Sequence, residues 1–169
     1  MKRSILTVSL ICATMSASAA EVAPTDVKFT DGAITDSLSG TVGDPVAGRE
    51  VLANRALGNC VACHQITEMS DVPFHGEIGP MLDGAGSRWS EAELRGIVAN
   101  AKMMFPESLM PSFYRTDGYT RPGNAFTGEA ADSTFGPLLT AQQVEDVVAY
   151  LATLKESARP KRDQDQEFD

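Results

Sequence analysis

Two thiols and an imidazole fall within five residues of this chain, in the run Cys60-Val61-Ala62-Cys63-His64. Cysteines three positions apart lie on one side of a short helical turn, where their sulfurs can reach the two vinyl groups of one porphyrin edge. An imidazole directly after the second thiol comes beneath the iron. This C-x-x-C-H order is the pattern of covalent c-type haem attachment. Cys60 and Cys63 are therefore the expected thioether residues and His64 the expected first axial ligand. A disulfide, a redox dithiol or half of a zinc site also uses C-x-x-C, but none of them requires a histidine in the next position. A zinc site needs further ligands, and the only other histidine is His75.

The opposite face of such an iron takes a second donor. Met110, in an extended loop between Pro106 and Pro111, is placed to bring a thioether there. The alternatives are His75, another methionine (Met69, Met81, Met103 or Met104) and an open site. Any single methionine is most often a core residue. Met81 lies in the turn that should support His64, and Met103 and Met104 at a helix end, which leaves Met110 as the expected ligand. A carbonyl accepting the N–H of a ligand histidine fixes its tautomer and makes it a better donor. Pro80, in Ile78-Gly79-Pro80, sits where that carbonyl is expected, with a plain turn proline as the other reading. His75 reads as a surface or loop histidine.

Three helices are expected to position these groups. Asp44-Pro45 is an N-cap followed by proline at the first helical position. Ala47, Val51 and Leu52 follow on one side, Gly48 admits a close neighbour, and Gly58 and Asn59 are expected to end the helix. Ser90 and Glu93 form a capping box, with Trp89 and Leu94 at the staple positions. Thr140 and Gln143 repeat the arrangement ahead of the stripe Val144, Val147, Val148, Leu151 and Leu154, with Tyr150 on its flank near Gly48. Residues 21–43 show no period and form an irregular arm, lying over the domain or against a partner. Residues 115–138 carry Gly118, Gly123, Gly128 and Gly136, a long loop before the last helix that could shield the haem edge or meet a partner. The expected class is all-α, one helical domain over residues 44–157 around one haem, with a charged tail over 158–169.

Lys2 and Arg3, an apolar run from Ile5 to Ile11 too short to span a bilayer, and Ala17-Ser18-Ala19 read as a secretory signal peptide over residues 1–20. Cys12 falls within it, so the mature chain has two cysteines and both are used by haem. That excludes a cysteine nucleophile or a disulfide framework. Removal of Lys2 and Arg3 leaves 12 basic against 23 acidic residues, a formal charge of −11. Nucleic acid is not a partner for such a surface. No other run is long enough for a membrane span, and export implies the periplasm.

From residue 44 to about 155, the order of helix, C-x-x-C-H, Gly79-Pro80, helix, Met110-Pro111 and C-terminal helix resembles a class I cytochrome c. Within that fold, Gly58-Asn59-Cys60 through His64, Gly76-Glu77-Ile78-Gly79-Pro80, and Phe105-Pro106 leading to Leu109-Met110-Pro111 resemble the SoxX family. These are the small cytochrome subunits of SoxAX complexes of bacterial sulfur oxidation. The resemblance implies one covalent haem c and a SoxA-like dihaem or monohaem partner that performs the sulfur chemistry on thiosulfate. It also implies a SoxYZ-like carrier whose cysteine receives the sulfur, and a soluble cytochrome c as electron acceptor. This chain would then be the electron-accepting subunit of an L-cysteine S-thiosulfotransferase and not an enzyme alone. The competing role is a free-standing cytochrome c electron shuttle.

Overall fold

The computed structural model describes residues 20–124 and 126–156. The expected signal peptide, apart from Ala20, and the expected tail over 158–169 lie outside these residues. Among the described residues the regular structure is helical, and the only extended pairings are isolated bridges at Thr30–Ala33 and Gly123–Ala130. Among them, no helix is long and apolar enough to cross a membrane.

Four α-helices form the frame: α1 (Pro45–Ala53), α2 (Ala85–Arg88), α3 (Glu91–Asn100) and α4 (Ala141–Thr153). Each of the three longer helices starts where the side chains close the first turn. The Asp44 carboxylate accepts the Val46 N–H at 2.8 Å, ahead of Pro45. Both reciprocal bonds of the capping box are made at Ser90 with Glu93 and at Thr140 with Gln143. Two orphan donors are thereby satisfied at each capping box, and one at the start of α1.

α4 packs across both α1 and α3. Its stripe of Val144, Val147, Val148, Leu151 and Leu154 is buried against Val51 and Leu52 of α1 and Leu94 and Val98 of α3. The crossing of α1 and α4 depends on Gly48, where a methyl group would collide with the Asp146 carbonyl and press on Tyr150 Cβ at 3.0 Å. Backbones approach this closely only where one residue has no side chain.

α1 stops earlier than expected, at Ala53 instead of near Gly58 and Asn59. The physical reason is Asn54. Its side chain accepts the Ala56 N–H at 2.9 Å, and its carbonyl accepts the N–H groups of Leu57 and Asn59 at 3.1 Å. An asparagine that gathers following N–H groups competes with the helix ladder. Asn59 itself takes a left-handed conformation, φ 48°, and turns the chain into the Cys60–Ala62 3₁₀ turn.

The arm is irregular but lies on its own domain. Ile34 and Leu38 enter the core, and the Leu38 N–H donates to Glu145 at 2.7 Å. Arg95 bonds both Glu145 oxygens and donates to the Ile34 carbonyl at 2.9 Å, with both charged residues buried. The Asp44 N–H donates to Asp146 at 2.9 Å. Helices α3 and α4 therefore supply the hydrogen bonds that the arm's own backbone cannot make within itself.

Candidate functional site

The motif turn is clasped from one side by residues 76–82. The Gly76 N–H donates to the Val61 carbonyl, Gly79 to Cys63 and Leu82 to Gln65, at 2.8, 2.8 and 2.9 Å. These bonds bring Pro80 to His64, whose Nδ1–H donates to the Pro80 carbonyl at 2.6 Å. A carbonyl can only accept, so Nδ1 carries the proton and the lone pair is on Nε2, the tautomer a metal-ligating imidazole needs. Gly79 lies so close against the imidazole that a side chain there would overlap the ring.

Cys60 and Cys63 lie on the same turn and are not joined to each other. Cys60 packs, partly buried, against the core. Gly58 leaves room beside it, since a methyl group at that position would stand 3.2 Å from its Sγ.

Met110 comes from a separate segment. Its carbonyl accepts from Lys102 Nζ at 2.8 Å, its N–H donates to Ser108 Oγ at 3.2 Å, and its side chain packs against the edge of the core. The structure thus joins Cys60, Cys63, His64 and Pro80 by direct bonds, whereas Met110 shares with Cys60 the same core cluster. The other methionines are placed differently. Met69 is fully buried in the core, Met104 packs beneath Gly32 of the arm, and Met81 and Met103 are exposed. His75 receives the Ile66 N–H on Nδ1 at 3.3 Å. Its Nε2 therefore carries the proton, is buried and has no partner.

These residues fit a covalently attached haem. The donors are two thiols on one turn and an imidazole with its far nitrogen already engaged. Around them the segments carry large apolar side chains left at the surface: Ile78 and Leu109 are 78% and 88% exposed, and Met81 and Phe105 are also exposed. Apolar groups converging around polar donors mark a surface meant to be covered.

Sequence reasoning did not find the buried Arg95–Glu145 pair that fixes the arm. The available signal was an arginine and a glutamate beside the apolar stripes of α3 and α4, next to Leu94 and Val144.

A family model for cytochrome c matches residues 46–155. No curated protein matches the chain. Among solved structures, the chain is similar to the crystal structure of SoxXA from P. pantotrophus. Identity is 56%, with 80% of this chain and 99% of that chain covered and a TM-score of 0.77.

Proposed function

This chain belongs to the cytochrome c family as a SoxX-type cytochrome carrying one covalent haem c, and from that premise we propose that it is the electron-accepting subunit of a SoxAX-like complex. The observation that carries this reading is the match to SoxXA over nearly the whole of that chain. At 80% of this chain, the match is longer than the 46–155 span of the family model and reaches into the arm. The likeness therefore includes more than the haem-binding helices common to free carriers.

In this reading Cys60 and Cys63 would hold the haem through their sulfurs, and His64 and Met110 would ligate its iron. A bound haem supplies a one-electron iron couple. Pro80 keeps His64 Nδ1 occupied, so the imidazole presents only Nε2 and presents it in one orientation. The Met110 thioether is a weak donor that favours the reduced state. With two thioethers, an imidazole and a methionine sulfur engaged, these residues would leave no ready position for a substrate. Sulfur chemistry on thiosulfate belongs to a SoxA-like partner, and the cysteine that receives the sulfur belongs to a SoxYZ-like carrier. Electrons leave to a soluble cytochrome c. Residues 1–20 serve as the export signal, which places the mature protein in the periplasm.

The test is copurification of the untagged native protein at moderate salt. A second haem subunit in constant ratio is expected, together with no thiosulfate turnover by the isolated chain. A monomer that exchanges electrons with several carriers and binds no second subunit would overturn the assignment in favour of a free shuttle.

A further inference from the structure

The two axial residues are held by unlike means. His64 is clasped by a carbonyl on its own ring and by the backbone bonds of residues 76–82. Nothing comparable touches the Met110 side chain; its backbone is instead tied at Met110 itself and just downstream, to the end of α3 and the turn that follows it. Upstream of the loop, Lys102 in the Ala101–Met103 turn donates to the Met110 carbonyl at 2.8 Å. Downstream, the Ser112 hydroxyl donates to the Asn100 side-chain oxygen at 2.8 Å, and both residues are buried at 8% exposure. The next two N–H groups, of Phe113 and Tyr114, donate to the Val98 and Ala99 carbonyls. These are carbonyls that a helix C-terminus leaves without partners. Met110 is therefore held at its own carbonyl and again two residues on, by Lys102 and Asn100.

We infer that Lys102 and the Asn100–Ser112 pair are positioning residues for the sixth ligand, setting how firmly the Met110 thioether holds its place against a competing ligand. The inference rests on the reading of Met110 as that ligand. A loop pinned at Met110 and immediately after it spends little time away from the ligating position. An added base that must displace methionine then binds with an affinity reduced by the small fraction of open states. Loss of either pin raises that fraction. The Ser112 pin weighs more, because its removal leaves the buried Asn100 oxygen without a donor, whereas Lys102 is exposed and water can replace it.

The experiment titrates imidazole into the oxidised holoprotein and follows the sulfur-to-iron charge-transfer absorption. Lys102→Met is expected to raise imidazole affinity about threefold and Ser112→Ala about tenfold, with haem content and helicity unchanged. Lys102→Arg, which keeps a donor, should restore the native affinity. Lys155→Met is a matched control, because Lys155 makes the same kind of bond at 2.6 Å to the Gly86 carbonyl of α2, with no bond to the Met110 loop. It should bind imidazole as the native protein does. Native affinity in both Lys102→Met and Ser112→Ala, with Met110→Ala binding tightly, would overturn the positioning role and leave the ligand assignment standing. An unchanged absorption band in Met110→Ala would overturn the ligand assignment and the inference with it.

Discussion

The arm of residues 21–43 and the segments on either side of the haem-binding turn are equally irregular, yet they are satisfied in opposite ways. The arm meets the protein's own groups: the Leu38 N–H and the Ile34 carbonyl are bonded to Glu145 and Arg95, Ile34 and Leu38 are buried, and Val42 is its one large apolar side chain left exposed. On the other side Ile78, Met81, Phe105 and Leu109 stay at the surface, although the backbone beneath them is well bonded. Irregular backbone alone therefore says little. A region that closes on itself is finished, and one that orders its backbone while leaving apolar side chains outward is built to be covered by something else.

The largest effect expected from this contrast comes from removing the attachment. Replacement of both Cys60 and Cys63 by serine should abolish haem staining on a denaturing gel and most of the helical circular dichroism, because part of the core is then missing. Retained cooperative unfolding without haem would show that the outward apolar groups need no cover. On the arm side, Glu145→Ala leaves Arg95 buried and unpaired, a loss of about 3–5 kcal/mol. Urea unfolding followed by circular dichroism should show it, with the charge-transfer absorption intact in the folded protein. If that band vanished at low urea, the two sides would not be independent.

Gly48→Ala is a smaller test of the joint between α1 and α4. The added methyl meets the Asp146 carbonyl, and the helices must separate at a cost of about 1–3 kcal/mol. An unchanged urea midpoint would mean that the crossing is looser than the structure shows. The smallest effect concerns Tyr114, whose hydroxyl donates to the Val22 carbonyl at 2.6 Å. Burial, together with the neighbouring Glu21 carboxylate, raises its pKa from 10.0 to about 12. The unfolded chain loses this proton near pH 10.0 and the folded chain near 12. The stabilisation is complete below the lower value and disappears as pH rises through the higher one. Proteolysis at the arm should accelerate across that window, and Tyr114→Phe should be cut faster than the native protein already at neutral pH.

What could be read in the sequence was local in the chain. The caps at Asp44, Ser90 and Thr140 involve partners two or three residues away, and the α4 stripe repeats within one helix. The motif and its tautomer-fixing carbonyl lie within one clasped loop, His64 to Pro80. The stop of α1 was misplaced because glycine is the stronger general signal, while the actual stop is a side-chain turn at Asn54. The arm could not be assigned a neighbour, since its hydrogen-bond partners are far along the chain: Arg95 bonds Glu145, and Glu145 bonds Leu38. Spacing has no bearing on such distant pairings. The Met110 loop is intermediate: its prolines are visible in the sequence, but the bonds from Lys102 to the Met110 carbonyl and from Ser112 to Asn100 follow no local pattern.

The central claim is that the two thiols of one helical turn become the permanent tether of a single haem. The most direct measurement is the intact mass of the native protein after full denaturation. The account predicts the mass of the processed chain plus one haem, with both cysteines unavailable to a thiol reagent. A chain with free thiols and no added mass would contradict it.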